Sequence, residues 1–233
     1  MKILLAILAL LFSFSVFSNA FSGAPSSSRI VKIITTKGDY GSGWVTAYNS
    51  TKTLITTNLH VCSENYYKWN KDKDNTPLVF NRLTINNDLN QLYYGYMIAY
   101  DKERDICFIE VEGVISSNPL KVAKRYKMNY NDKLEVLSPL PFGRRELSSI
   151  EADNASNEDI WSAVHKDSFV AEGTTQAGQS GSPVLLNGEV VGVFWGRTTH
   201  PDQNGKNYAF FIDIKAFWDL FNKMKLNNKY KLK

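Results

Sequence analysis

The chain has 233 residues, of which 43% are hydrophobic and 13% aromatic, and it carries 27 Lys and Arg against 23 Asp and Glu. This composition supplies enough apolar material for a packed core and excludes a disordered chain. A net charge of +4 that is spread along the chain gives little reason to expect a nucleic-acid partner, so we expect none. The three histidines leave few candidates for a general base near neutral pH.

Residues 1–20 predict a cleaved export signal. Lys2 is followed by ten consecutive apolar residues at 3–12, and small residues stand just before the expected cut after Ala20. The apolar run is shorter than the ~20 residues that a helix needs to cross a bilayer, which favours a signal peptide over a membrane anchor. We therefore expect a secreted or periplasmic protein without a membrane anchor in its mature form. A flexible leader of small and polar residues is expected at 21–29.

From Ile30 onward, short segments rich in β-branched and aromatic residues alternate with turn signals. Closely spaced strands with little helix predict an all-β sandwich or barrel. One hairpin is clear because Asn187-Gly188, the preferred pair for a type I′ turn, separates two of the strands. About a dozen strands are predicted, and they include Ile30–Thr35, Trp44–Tyr48, Thr53–Thr57, Leu92–Tyr100, Ile106–Val111, Lys133–Leu137, Trp161–Val164, Pro183–Leu186, Glu189–Trp195 and Tyr208–Ile212.

One amphipathic helix is predicted near the C-terminus, at about 214–225, where apolar residues recur at spacings of three and four. The basic tail at 227–233 is expected to fray. The segment 114–132 has little strand signal, and we expect it to connect two β units. The mature chain is therefore divided into a first β unit at 30–118, a second at 119–213, and a helix with its tail at 214–233.

The strongest chemical signal is the hexapeptide Gly-Gln-Ser-Gly-Ser-Pro at 178–183. Glycines let the main chain bend tightly, so that the amides of Gly178 and Ser180 can point at one place where an oxyanion forms. An ordinary Gly-Ser turn is the alternative interpretation. The Gly-x-Ser-x-Gly elbow of α/β-hydrolases is not matched, because Ser182 occupies its last glycine position.

A serine nucleophile needs a base, and His60 stands directly after an apolar strand. We interpret His165 and His200 as surface histidines. Asp105 heads another apolar strand and is the candidate for the carboxylate that orients the imidazole, with Asp101 as the alternative. The chain has no His-Glu-x-x-His motif, so we expect neither a metal site nor a cofactor.

The two cysteines repeat the spacing of the candidate histidine and aspartate. His60 and Asp105 are 45 positions apart, as are Cys62 and Cys107. Residues two apart on an extended chain point to the same face, so a contact between His60 and Asp105 would bring the cysteines together. An exported protein is free to oxidise them, and closing a loop of that length would stabilise the fold by ~4 kcal/mol. Two buried free thiols are the alternative.

Several motifs occur together in the order His, Asp, Ser. They are Gly41-Ser42-Gly43-Trp44-Val45, Leu54–Val61, Asp105–Ile109, Thr174-Thr175 ahead of 178–183, and Val191–Gly196. Through them the sequence resembles the chymotrypsin-fold (trypsin-like) serine peptidases, most closely the bacterial glutamyl endopeptidase branch typified by the V8 protease. The resemblance covers about residues 30–220. It implies two six-stranded antiparallel β-barrels, chymotrypsin-like, with the active site in the cleft between them.

The resemblance also implies a role for each candidate residue. Ser180 would attack the peptide carbonyl and form an acyl-enzyme, His60 would move the proton, and Asp105 would hold the imidazole tautomer. The amides of Gly178 and Ser180 would form the oxyanion hole. The implied function is a secreted serine endopeptidase, expected to be a monomer, that acts on proteins or peptides.

One departure from the family concerns activation. Gln179 stands where trypsin-type enzymes carry an aspartate that pairs with a newly freed N-terminus. Arg29-Ile30-Val31 has the appearance of an activation site, but without that aspartate the new amine would lack its partner. The sequence therefore predicts no trypsin-style zymogen switch.

A second departure concerns specificity. Glutamyl endopeptidases place a histidine before Trp-Gly to read an acidic side chain, and Phe194 stands at that position. As an apolar wall, Phe194 favours an uncharged substrate side chain over strict cleavage at Glu, although Arg197 is an alternative source of positive charge. The pocket residues implied by the resemblance are Thr174, Thr175, Phe194, Trp195, Gly196 and Arg197.

Two other functions fit the same motifs. A catalytically silent binding protein, a pseudopeptidase, could have the same fold, although such proteins usually lack one triad residue and this chain has all three candidates. An esterase could use the same serine.

Overall fold

The computed structural model describes residues 29–66, 78–87, 89–127, 129, 131–139, 141–149, 167–202 and 204–233. The predicted signal peptide, nearly all of the predicted leader, the predicted strand at 161–164 and His165 lie outside these ranges. No helix in the described part of the chain is long and apolar enough to cross a membrane.

The described residues form two closed β-barrels of six antiparallel strands each, followed by a helix, as the sequence predicts. The first barrel has the strand order β1-β2-β3-β6-β5-β4 and the second has the order β10-β11-β12-β9-β8-β7. The strands of the first barrel are β1 (Ile30–Ile34), β2 (Tyr40–Tyr48), β3 (Lys52–Asn58), β4 (Leu83–Asn87), β5 (Leu92–Asp101) and β6 (Ile106–Glu112). Those of the second are β7 (Lys133–Leu137), β8 (Arg144–Ser149), β9 (Ser168–Glu172), β10 (Pro183–Leu186), β11 (Glu189–Arg197) and β12 (Tyr208–Asp213). The helices are the single turn α1 (Leu59–Cys62), α2 (Ile214–Lys223) and a 3-10 turn at Leu226–Asn228.

The sequence prediction missed β4, β8 and β9. Polar residues dilute the strand signal in all three, and β8 reads Arg-Arg-Glu-Leu-Ser-Ser. Their neighbours complete them: β4 pairs with β1 and β5, and β8 lies between β7 and β9. Closure of each barrel therefore supplies hydrogen bonds that local sequence does not reveal.

The hairpin between β10 and β11 is confirmed. Asn187 and Gly188 have φ values of 51° and 81°, as the two central positions of a type I′ turn require.

Helix α2 packs its apolar stripe against the first barrel. The Phe217 and Phe221 rings lie 5.4 and 6.2 Å from the Phe108 ring in edge-to-face contacts. Asp213 caps the helix by accepting a hydrogen bond from the Lys215 amide at 2.6 Å. The helix thereby joins the two barrels, since it follows directly from β12.

The prediction of a fraying C-terminal tail was wrong. Tyr230 is buried and its hydroxyl donates to Glu110 on β6. The amides of Lys231 and Tyr48 each donate to the carbonyl of the other, at 2.7 and 3.2 Å. The tail is an edge partner of β2, and basic composition alone did not reveal the buried aromatic residue that holds it there.

Candidate active site

The side chain of Asp105 holds His60 by two hydrogen bonds. His60 Nδ1 lies 2.6 Å from Asp105 Oδ2, and the His60 amide donates to Oδ1 at 2.8 Å. Asp105 is 1% exposed, so this carboxylate is shielded from solvent. The backbone and the ring of His60 are thus fixed by one group, which sets the direction of the imidazole.

The local fold places the two residues. Pairing of Asn58 with Ile106 brings the end of β3 beside the start of β6, and α1 starts immediately afterwards. Asn58 Nδ2 and the Leu59 amide both donate to the Asp105 carbonyl, at 3.0 and 3.1 Å. Asp105 itself has φ 49°, in the left-handed region, a conformation maintained by these contacts.

Asp101, the alternative carboxylate, has a different role. Its Oδ1 accepts hydrogen bonds from the amides of Glu103 and Arg104 and so closes the turn between β5 and β6. Arg104 then pairs with Asp219 on α2 at 2.7 Å and with Asp167 before β9 at 3.1 Å. These ion pairs tie the turn that carries Asp105 to the rest of the molecule.

The negative charge of Asp219 stabilises its ion pair with Arg104. Hydrogen bonds from Lys215 and Arg104 hold the pKa of Asp219 below its ordinary value. Asp219 is therefore ionised at neutral pH, where it accepts from Arg104. The sequence prediction did not identify Arg104 as a residue that supports the site.

Ser180 lies on a loop of the second barrel that is docked onto the first. Its carbonyl accepts the Ser42 amide at 2.7 Å, and the following Gly181 amide donates to Phe194 at 2.8 Å. Gly181 has φ +88°, and a Cβ atom there would lie 2.0 Å from the Ser42 carbonyl oxygen. The loop can approach β2 this closely only because residue 181 has no side chain.

Gly41 on β2 lies close both to the Ser180 backbone and to Val61, the residue after His60. A Cβ atom on Gly41 would lie 2.6 Å from Val61, the residue after His60, and 3.1 Å from the Ser180 carbonyl oxygen. The Ser180 hydroxyl is half-buried and donates to the Trp195 carbonyl at 3.3 Å. The Ser180 backbone and the turn that carries His60 therefore both lie beside Gly41 on β2.

Two backbone amides of the Ser180 loop have no hydrogen-bond acceptor among the described residues. Within the described ranges, no group accepts a hydrogen bond from the amide of Gly178 or of Ser180. The Gly178 carbonyl is fixed by the Ser42 hydroxyl at 2.8 Å, and Gly178 has φ +90°. An oxygen anion at these amides would find two donors already in place.

A buried network of neutral groups surrounds Gln179, which is 0% exposed. Its Oε1 accepts the Gln176 amide at 2.6 Å and its Nε2 donates to Ser138 at 2.9 Å. The Ser138 hydroxyl lies 2.8 Å from that of Ser182, whose amide donates to the Gln179 carbonyl at 2.9 Å. Gln179 thus links both sides of the Ser180 loop to the end of β7.

The predicted substrate-pocket residues do not all line one cavity. Thr174, Thr175 and Arg197 line a cavity of about 10 Å³ together with residues that the prediction missed: Gly173, Thr198, Asn207 and Tyr208. Gly196 lies on β11 between Arg197 and Trp195 and is not among the lining residues.

Phe194 and Trp195 lie apart from this cavity in packed surroundings. Phe194 is 1% exposed and belongs to the core of the second barrel, while the Trp195 ring lies 5.5 Å from Phe210. The Thr175 hydroxyl oxygen is buried, and no described residue bonds to it. The small cavity is therefore walled by hydroxyl and aromatic groups, with Arg197 exposed beside it.

Cys62 and Cys107 form the predicted disulfide. The reasoning from an extended chain was nevertheless incorrect, because Cys62 lies on the helical turn α1 and Asp105 has a left-handed backbone. The pairing of β3 with β6 is what brings the two cysteines together, since Thr57 stands opposite Cys107.

The remaining histidine in the described ranges, His200, is exposed in a loop. Within those ranges, no three His, Cys, Asp or Glu residues are grouped so as to hold a metal ion.

Comparisons with known proteins agree with this fold. A family model described as a trypsin-like peptidase domain matches residues 41–193. A crystal structure of the inactive form of the Rv3671c protease is similar with a TM-score of 0.61 and 20% identity, covering 85% of this chain and 89% of that one. Its active form, from M. tuberculosis, gives a TM-score of 0.62 at 20% identity, covering 85% of this chain and 81% of that one. No curated protein matches the chain significantly.

Proposed function

Because the chain belongs to the trypsin-like peptidase family, we propose that it is a serine endopeptidase in which Ser180, His60 and Asp105 form the catalytic triad. The observation that carries the proposal is the pair of hydrogen bonds that the Asp105 carboxylate accepts from the ring and the amide of His60. A buried carboxylate that fixes both parts of one histidine is the arrangement that general-base catalysis beside a serine requires.

Proton transfer follows from this contact. A carboxylate oxygen can only accept, so the Nδ1 atom of a neutral His60 ring carries its proton toward Asp105. The Nε2 atom is then the acceptor for the Ser180 hydroxyl proton when the hydroxyl turns from Trp195 toward the ring. The Asp105 carboxylate stabilises the imidazolium that results.

The peptide bond is then cleaved in two steps. Ser180 Oγ attacks the peptide carbonyl, whose developing oxyanion accepts from the amides of Gly178 and Ser180. His60 returns its proton to the leaving amine as the C–N bond breaks, which leaves an acyl-enzyme. Water, deprotonated by His60, attacks the ester carbonyl, the bond between Ser180 Oγ and the acyl carbon breaks to release the carboxylic acid product, and His60 returns its proton to Ser180.

We further propose that the enzyme is exported through the signal peptide at 1–20, acts as a monomer and needs no trypsin-style activation. Gln179 supports the last point because it orders the loop with its own side chain. An N-terminal ammonium is then unnecessary for that task.

Active-site labelling with a fluorophosphonate probe tests the function. We expect the native protein to react stoichiometrically at Ser180, and the variant Ser180→Ala to lose labelling and peptide cleavage together. Ser50→Ala is the matched control because Ser50 is exposed in the turn between β2 and β3. Native protein that neither labels nor cleaves would favour the pseudopeptidase, and cleavage of esters without amides would favour an esterase.

The specificity before the scissile bond is proposed to favour small, uncharged side chains. Phe194, at the position where glutamyl endopeptidases carry a histidine, is buried in the core of the second barrel and supplies no charge to the site. The cavity of about 10 Å³ has space for roughly one water molecule, which favours a small side chain. In a peptide library that varies this residue, we expect Ala, Ser or Val to be cleaved at least tenfold faster than Glu. A strong preference for Glu would contradict this proposal and point to Arg197, which lines the cavity.

A further inference from the structure

A second cavity lies beside the proposed oxyanion amides. It has a volume of about 150 Å³, and its lining includes Lys32, Tyr40, Ser42, Pro139, Phe142 and Gly178. We call it the Lys32 groove. None of the pocket residues proposed above lines it.

The Lys32 groove begins at the reacting atoms. The Ser42 amide donates to the Ser180 carbonyl, and the Ser42 hydroxyl donates to the Gly178 carbonyl. Ser42, which lines the groove, therefore also holds the Ser180 loop in place. On the other side of Ser180, its hydroxyl contacts Trp195 on β11, the strand that also carries Arg197.

A substrate must therefore cross the site in a defined direction. Its reacting carbonyl oxygen lies at the amides of Gly178 and Ser180, and its residue before the scissile bond faces the cavity of Thr175 and Arg197. The chain after the scissile bond then continues toward the Lys32 groove. This direction rests on the proposed function.

The walls of the groove are aromatic and contain a single cation. The Tyr40 and Phe142 rings stack with their centroids 6.5 Å apart and their planes inclined by 16°. Lys32 Nζ lies 4.3 Å from the centre of the Tyr40 ring. The aromatic contact holds the ammonium beside the groove without neutralising its charge.

Lys32 has no carboxylate partner among the described residues. No Asp or Glu in those ranges lies within ion-pair distance of Nζ, although Lys32 is half-buried. Its cross-strand neighbours on β2 and β4 are the neutral Ser42 and Asn86. A half-buried ammonium beside apolar walls favours an incoming carboxylate, which would gain an ion pair less screened than one in open solvent.

We propose that the Lys32 groove binds an acidic side chain, Asp or Glu, at one of the first two substrate residues after the scissile bond. Lys32 is the residue that determines this preference. Tyr40 and Phe142 pack against the aliphatic part of the side chain, so the groove reads the substrate on its leaving-group side.

Internally quenched peptides test the proposal. The residues before the scissile bond are kept constant, and the two positions after it carry Asp, Glu, Asn, Gln or Lys. We expect kcat/KM to be about tenfold higher for acidic than for the isosteric amide peptides, equivalent to ~1.4 kcal/mol. In Lys32→Met, which retains the aliphatic stem, this ratio should fall to about one. In Lys32→Glu, it should invert in favour of Lys.

Lys37→Met is the matched control, because Lys37 is an exposed lysine that pairs with Glu64 outside the groove. It should preserve the acidic preference. Equal rates for acidic and amide peptides in the native protein, or a preference that survives in Lys32→Met, would overturn the groove proposal alone. If the native protein cleaved none of the peptides, the proposed function and the groove proposal would fail together.

Discussion

Asp105→Asn is expected to lower kcat by about 10⁴-fold while the protein remains folded. The His60 amide must keep an oxygen acceptor at the position of Oδ1, so the new amide nitrogen takes the position of Oδ2 beside Nδ1. That nitrogen can only donate, which forces the imidazole proton onto Nε2. The base then has no lone pair available for the Ser180 hydroxyl.

Single-turnover and steady-state cleavage of one peptide would measure the loss, with circular dichroism to check the fold. The matched variant is Asp101→Asn, whose amide oxygen still accepts from the amides of Glu103 and Arg104. It should retain kcat within about tenfold, because it removes only the ion pair between Asp101 and Arg104, which are 3.7 Å apart, and the loss of one partly exposed ion pair is small. A 10⁴-fold loss in Asp101→Asn, with Asp105→Asn active, would reverse the assignment.

Gly181→Ala is expected to destabilise the protein by about 5 kcal/mol, at the upper end of single substitutions. The methyl group would lie 2.0 Å from the Ser42 carbonyl oxygen and 2.1 Å from Thr57 Oγ1, at a φ of +88°. Ser42 lies on β2 and Thr57 on β3 of the first barrel. Neither can move far, since the Thr57 hydroxyl donates to that same Ser42 carbonyl at 2.6 Å. Relief of the clash requires the nucleophile loop to leave β2, so peptidase activity should be lost as well.

Gly188→Ala separates backbone strain from the clash. Gly188 has a similar φ of +81°, but a Cβ atom there would meet nothing within 4 Å. We expect this variant to lose only about 1–2 kcal/mol, the cost of a left-handed backbone, and to remain active. Urea unfolding of both variants measures the difference, and equal losses in the two would contradict the proposed packing at Gly181.

The residues of the candidate site could be proposed from the sequence largely because they lie on short, locally encoded features. Glycines mark the bend around Ser180, and apolar strands lead into His60 and out of Asp105. The disulfide was predicted from the repeated spacing of 45 residues, even though the extended geometry assumed for it does not occur. The two cysteines are close because β3 pairs with β6, which sets Thr57 opposite Cys107.

The features that were missed depend on long-range partners. Strand β8 is polar except for the buried Leu147, and it forms because β7 and β9 pair with it. The C-terminal tail is held by the buried Tyr230, whose partner Glu110 is 120 positions away. Likewise, nothing in the sequence near Lys32 indicated that its side chain would lie over Tyr40 beside the nucleophile loop.

The network around Gln179 has a consequence for the pH range of the enzyme. A loop that depends on a free N-terminal ammonium loses its support as that amine, with an ordinary pKa near ~8, becomes neutral in alkaline solution. The amide of Gln179 and the hydroxyls of Ser138 and Ser182 do not titrate in that range. The loop that carries Ser180 is therefore expected to keep its order in alkaline media, because none of the side chains that hold it there changes charge.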